Sequence, residues 1–350
     1  MSKAIRYLFV LASIGVLLGA PAGGSAKDFY DGKTLRILVP YPPGGGYDTH
    51  SRLLARHLGK HIPGNPKVIV QNMPGGGGLI APNYLFNVAK QDGTVTSILG
   101  RNIYVDQLIG TNGVKFDLTK AKWIGNNTND VSVGYMLTDS PYKSIDAIRS
   151  AKRPPNIGYS GTGSSYFQFP RLMNNVLDLK IKQIGGYRGT SPIKLAMAGG
   201  ELDGILGIAY FSAVSALADE LKSGTLTPVI QSGVWDAKSA NFVRHPDLKD
   251  VPTVWELTND PEKRKLITLM NTTDVVARPF IAPPNVPEER VKILREGFWA
   301  AVNSEAFKKD AKQLFGMLPS PGRGEFAEEF MGKVMASSPE DVAALKKLLK

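Results

Sequence analysis

The sequence predicts two α/β lobes, each a mostly parallel sheet flanked by helices, joined by a hinge. Three observations carry this. Apolar β-branched runs alternate with amphipathic helical patterns in two separate series, glycine-rich turns stand between strand and helix in each series, and a late strand followed by helices fits a chain that crosses to a second lobe and returns. In the first series, 34–40 (TLRILVP) reads as a strand and 49–61 as a helix with Leu53, Leu54 and Leu58 on one side. Residues 67–71 (KVIVQ) form the next strand, then come a helix near 79–89 and a strand at 95–99. The second series sets strands near 156–159, 182–184 and 204–206, followed by helices over 165–176, 191–198 and 212–221. A βαβαβ order implies a mostly parallel sheet with helices on both faces. Beyond it, 226–231 adds a strand, 247–261 is loop-rich, 275–282 reads as the returning strand, and helices at 288–301 and 325–336 close the chain. The division expected is 27–130 with 275–350 in the first lobe and 131–274 in the second.

The first 26 residues read as a secretory signal. Lys3 and Arg6 precede an unbroken apolar run, 7–19, and a small-residue tract, 20–26 (APAGGSA), follows. Cleavage is expected after Ala26, with Ala22 as the alternative and a retained anchor as the competing reading. The apolar run is shorter than the roughly 20 residues a spanning helix needs, and 204–218 also falls short of it, so no direct membrane insertion is expected after cleavage. Removing Lys3 and Arg6 lowers the net charge from +11 to +9. The basic residues are dispersed apart from Lys346, Lys347 and Lys350, which points to solubility and mild attraction for anions rather than to nucleic acid. With no cysteine, disulfides, thiolate zinc sites and cysteine nucleophiles are excluded.

The chemistry lies in the turns. Residues 39–48 (VPYPPGGGYD) follow the first strand, 72–78 (NMPGGGG) the second, and 159–165 (YSGTGSS) a strand of the second series. Glycine lets backbone approach a ligand closely, and the first turn of a helix offers free N–H donors at a positive dipole end. Such turns gather at the carboxyl ends of parallel strands, where α/β ligands bind. The candidates are therefore Pro43, Gly44, Gly45, Gly46 and Asp48 in the first turn, and Gly75, Gly76, Gly77 and Gly78 in the second. In the third they are Ser160, Gly161, Thr162, Gly163, Ser164 and Ser165. Ordinary turn-making, with Asp48 and Ser164 or Ser165 as helix caps, is the plainer alternative. Arg101, just past a strand end, either grips a carboxylate or forms a salt bridge. Tyr41, Tyr47, Tyr166 and Phe167 either wall the cleft or pack.

Residues 39–52 (VPYPPGGGYDTHSR), 68–78 (VIVQNMPGGGG), 159–165, 187–192 (YRGTSP), 199–203 (GGELD) and 280–291 (FIAPPNVPEERV) together resemble the tripartite tricarboxylate transporter receptors, the TctC- or Bug-type periplasmic solute-binding proteins. The resemblance implies a periplasmic Venus-flytrap receptor of type II-like architecture, monomeric, closing on a small organic carboxylate and delivering it to membrane transporter subunits. It implies that the turns at 40–48 and 74–79 hold one carboxylate through ordered water, that 160–165 meets it from the other lobe, and that Asp203 faces the cleft.

Other chemistry finds no support in pattern. His50, His57 and His61 share a helical stripe, but Leu58 stands where a zinc-peptidase helix needs glutamate. Ser191-Pro-Ile-Lys194 and Ser140-Pro-Tyr-Lys143 match a Ser-x-x-Lys element without its partner motifs. No nucleophile, base and orienting group assemble, so the expectation is a binding protein rather than an enzyme, with no cofactor, metal or nucleic acid. An exported hydrolase or transferase using the same turns, and a sensing module for a membrane kinase, are the rival readings.

Overall fold

Strand β1 (Thr34–Val39) has its last three residues buried. It passes through the first glycine turn into α1 (Gly46–Leu58), whose Leu53, Leu54 and Leu58 face the core. The pattern continues with β2 (Lys67–Asn72), α2 (Ile80–Asn87), β3 (Val95–Ile98), α3 (Ile103–Leu108) and β4 (Lys122–Asn126). The chain then enters a second sheet through β5 (Ser132–Leu137), α4 (Ile145–Ser150), β6 (Asn156–Gly158), α5 (Ser165–Val176), β7 (Lys182–Ile184) and α6 (Thr190–Ala198). That series ends with β8 (Gly204–Ala209), α7 (Tyr210–Ala216), α8 (Ala218–Lys222) and β9 (Leu226–Gln231). A small hairpin, β10 (Val234–Asp236) and β11 (Asn241–Val243), precedes α9 (Pro261–Val275) and the return strand β12 (Pro279–Ala282). The chain closes with α10 (Glu288–Asn303), α11 (Glu305–Phe315), β13 (Gly322–Arg323), α12 (Gly324–Met335) and α13 (Pro339–Leu349). The computed structural model describes residues 29–236, 238–239 and 241–349, so the expected export signal at 1–26 lies outside the described residues.

The sheets run β13-β4-β12-β3-β1-β2 and β7-β6-β8-β5-β9, each flanked by helices, giving the two-lobed α/β architecture. Both are mixed, and the reversal has a reason. In the first sheet β1 pairs parallel with β2 and β3, while β12 is antiparallel to β3 and β4. In the second, β6 pairs parallel with β7 and β8, while β5 is antiparallel to β8 and β9. The parallel strands point their carboxyl ends at the space between the lobes. A strand that enters from the hinge starts at that end and must run the other way. β5 is the first strand after the crossing, and β12 the first after the return.

The returning strand is shorter than expected: residue 275 still belongs to α9, and β12 begins at Pro279. One apolar core lies between β1 and α1, α10 and α11. A second runs from α2 and α3 through α12 and α13 to α5 and α9, bridging both lobes. Within the segment assigned to the first lobe, α13 packs on α5 and α9: Asn175 Nδ2 donates to the Leu348 carbonyl (2.9 Å), and Lys265 pairs with Asp341 (2.6 Å).

Candidate functional site

The first turn is pinned from within. Asp48, in the first turn of α1, accepts hydrogen bonds from the Gly44 N–H (2.9 Å), Arg52 Nε (2.9 Å) and Asn72 Nδ2 (2.9 Å). Burial alone would raise its pKa, but the bonds from Arg52, Gly44 and Asn72 outweigh it and hold the carboxyl below its ordinary value. Because Asn72 also donates to the Tyr41 carbonyl (3.0 Å), Asp48 locks the first glycine turn to the second. The second turn needs its glycines: Gly75 to Gly78 have φ of 132°, 59°, 69° and 107°, a run that residues with a Cβ do not adopt. The glycines also let the lobes approach closely at the cleft. A Cβ on Gly77 would lie 3.1 Å from the Gly163 nitrogen, and one on Gly46 only 2.0 Å from Ser212 Oγ.

Between these contacts lie two chambers that meet at Tyr41, Pro42 and Arg188. The first is narrow, about 70 Å3, and is walled by Tyr41, Tyr47, Tyr166, Pro43 and Pro192, with Arg101 and Ser212 behind. The second, about 410 Å3, is bounded by the Pro74–Gly78 turn on one lobe and by Ser160, Gly186 and Tyr187 on the other. The second lies in the range of small-molecule sites, and the first is a narrower recess that adjoins it. Among the described residues, no acidic side chain and no histidine lines either chamber.

Behind the cleft the hinge buries two ion pairs. Arg101 Nη1 lies 3.0 Å from Asp274 Oδ1, and Arg101 Nη2 donates to the Gly207 carbonyl (2.8 Å) across the lobes. Arg278 Nη2 bonds Asp130 Oδ2 (2.9 Å) and Ser212 Oγ (3.0 Å), with its guanidinium over the Tyr47 ring. Burial opposes the charge of Arg101, and Asp274 together with Tyr47, Asp130 and Tyr166 more than offsets this. Asp274, itself pushed up by burial, is held by Arg101, the Ser232 hydroxyl (2.6 Å) and the Ser132 N–H (3.1 Å).

Of the residues singled out by sequence, Tyr41, Pro43, Gly45, Gly46, Tyr47, Arg101, Ser164 and Ser165 line the first chamber, and Gly75, Gly76, Gly77, Gly78 and Ser160 the second. Gly44, Asp48, Gly161, Thr162 and Gly163 do not line them; Asp48 is buried in its own network, and Gly161 and Gly163 form the lobe contact. Arg101 reaches the wall, but its guanidinium is committed to Asp274 rather than lying open. Asp203 stands at the wrong end. It precedes β8, whose opposite terminus, Ala209, reaches the first chamber, and it pairs with Arg153 (2.6 Å) and the Asn156 N–H (2.7 Å). Phe167 packs on Tyr159 rather than walling the cleft. Asp48 is not the cap of α1, which is Gly45, and the Ser164 hydroxyl donates to the Gly161 carbonyl instead of capping α5. His50 is buried, stacked on Phe315 (4.3 Å) with Nδ1 facing Asn127, and burial lowers its pKa, while His57 faces Asp310.

Sequence reasoning missed the turn between β7 and α6, which brings Arg188 and Thr190 to the site. Arg188 is exposed and forms no hydrogen bond or ion pair with another described residue. Its signal was present: Gly185-Gly186 and Gly189 stand between a strand and a helix, as in the other three turns.

No family model matches the chain. A UPF0065 protein of Pseudomonas sp. (strain P51) is 23% identical over 257 residues, which cover 72% of this chain and 71% of that protein. Among solved structures, the periplasmic binding protein BugD aligns with a TM-score of 0.71 at 18% identity, covering 91% of this chain and 98% of BugD. MatC from Rhodopseudomonas palustris, solved with bound malate, aligns with a TM-score of 0.68 at 18% identity over 91% of this chain and 99% of MatC. Relatives and fold neighbours agree with the resemblance carried by the turns: the chain has a periplasmic binding protein fold similar to those of BugD and MatC, and UPF0065 proteins are among its sequence relatives.

Proposed function

We propose that this chain is a periplasmic receptor that closes its lobes on a small carboxylate and delivers it to membrane transporter subunits, without breaking a bond. The observation that carries the reading is the electrostatics of the cleft: two chambers with no acidic side chain, glycine turns on both sides, and the unpaired guanidinium of Arg188 between them. Anions are favoured in such a site. A nucleophile lacks a base there, because serine and threonine hydroxyls line the first chamber with no histidine or carboxylate beside them. A ligand in the cleft that contacts both lobes at once favours their closure. The carboxylate reading is supported by the malate bound in MatC, and export by the sequence of residues 1–26.

A thermal-shift screen of residues 27–350 against mono-, di- and tricarboxylates tests this. A ligand at a hundred times its Kd adds about 2.7 kcal/mol of stability. An upward shift in Tm with at least one carboxylate, absent with amines and neutral sugars, is the expected result. No shift with any organic anion refutes the reading, and turnover of a bound acid replaces it with the hydrolase or transferase.

A further inference from the structure

The two chambers differ in what their polar groups are doing. In the first, nearly every polar side chain is committed to protein. The Tyr166 and Thr190 hydroxyls bond each other (2.5 Å), and Tyr47 Oη accepts from the Arg101 N–H (3.1 Å). Ser164 Oγ donates to the Gly161 carbonyl (2.7 Å), and Ser212 Oγ takes Arg278. The Arg101 charge is matched by Asp274. What remains for a ligand is ring face and proline, with the Tyr41 and Tyr47 rings 4.8 Å apart and tilted by 36°, and the hydroxyls of Ser165 and Ser191 beside them.

The second chamber is the reverse. Ser160 Oγ is buried without a partner, Arg188 is unpaired, and Tyr41 turns its hydroxyl to this side, where a Cβ on Gly78 would lie 3.0 Å from it. Hydroxyl, guanidinium and the glycine turn thus converge on one small volume. Among the described residues lining the two chambers, one positive charge, that of Arg188, is uncompensated.

We propose that the ligand is a monocarboxylic acid with a flat apolar body, its carboxylate held by Arg188, Ser160 and the Pro74–Gly78 turn, its body lying between Tyr41, Tyr47, Tyr166 and Pro192. This rests on the receptor reading above. A short dicarboxylate would place its second charge against tyrosine and proline faces whose hydroxyls are already engaged, and desolvating an unpaired carboxylate there is costly. A ring instead gains edge and face contacts with the tyrosines.

Calorimetric titration of the mature chain with benzoate, phenylacetate and cyclohexanecarboxylate, against succinate, malate, adipate and benzyl alcohol, tests the assignment. At least one cyclic monoacid is expected to bind tenfold or more tighter than every dicarboxylate and than benzyl alcohol. Arg188→Ala is expected to weaken that acid roughly tenfold to a hundredfold, as for a charged hydrogen bond, and Arg188→Lys to restore part of the loss. Tighter binding of a dicarboxylate, or indifference of the monoacid to Arg188→Ala, overturns the ligand class while leaving the receptor intact. If no acid of either kind binds, the receptor reading falls and takes this one with it.

Discussion

The hinge and the cleft mouth both carry arginine, and they treat it in opposite ways. Arg101 and Arg278 are about 1% exposed and are matched by Asp274 and Asp130. Arg188, on the wall between the chambers, is exposed and faces no acid. A buried charge left without its partner costs several kcal/mol, so the hinge had to supply carboxylates. A charge in reach of water has no such need, and is left available for an incoming anion. The difference shows that position near a strand end does not make an arginine a ligand residue; what matters is whether its charge is already matched.

The largest expected effect comes from breaking a hinge pair. Asp274→Ala strands Arg101 in the interior and is expected to lower unfolding stability by about 3–5 kcal/mol, read by urea denaturation. A loss below about 1 kcal/mol contradicts the account of the hinge.

Asp106 is the intermediate case, a buried carboxylate with no cation. Its Oδ1 accepts from Thr111 (2.9 Å), and a Cβ on Gly163 of the other lobe would lie 2.4 Å from its Oδ2. Burial pushes it up to about 7, with the Thr111 bond opposing. A carboxyl raised in the folded state stabilises that state most below its unfolded pKa near 3.9, and the contribution is lost as pH rises through about 7. Stability is therefore expected to fall by roughly 1 kcal/mol per pH unit from pH 5 to 7, about 2 kcal/mol in all. In Asp106→Asn that part of the slope disappears; an unchanged slope in the variant means another group is responsible.

Gly46→Val probes the lobe contact. Its side chain meets Ser212 of the opposite lobe, so closure is obstructed while each lobe folds unhindered. Affinity for any cleft ligand is expected to drop at least tenfold, about 1.4 kcal/mol, by calorimetry. Equal affinity would show that the Gly46–Ser212 approach plays no part in binding. The smallest effect is expected of Arg188→Ala on folding, within about 0.5 kcal/mol of the parent protein, as for surface positions generally.

Much of the fold was legible because its signals are local. The strand–turn–helix order, the glycine turns and the leucine stripe of α1 each lie within a few residues of one another. β4 and β5 were not read, because Gly125 and the Asn126–Asp130 stretch between them look like a loop. That loop is the hinge itself. The end of α9 misled in the opposite direction: Thr272, Thr273, Val275 and Val276 are β-branched and suit a strand, but packing of Ile267, Met270 and Asn271 keeps the segment helical to Val275.

The site was legible to the same depth. Three turns announced themselves through glycine, and the fourth, with Arg188, went unassigned although it has the same form. Asp203 was placed in the cleft by resemblance alone, whereas its position before β8 put it at the amino end of a strand whose carboxyl end reaches the first chamber. The pairing of Arg101 with Asp274 and of Arg278 with Asp130 depends on contacts between distant segments, which no local pattern records.

The most direct test of the central claim is calorimetric titration of residues 27–350 with organic carboxylates, run beside Gly46→Val. The account predicts saturable one-to-one binding of at least one carboxylate, weakened at least tenfold in the variant. Absence of binding by the parent protein contradicts it.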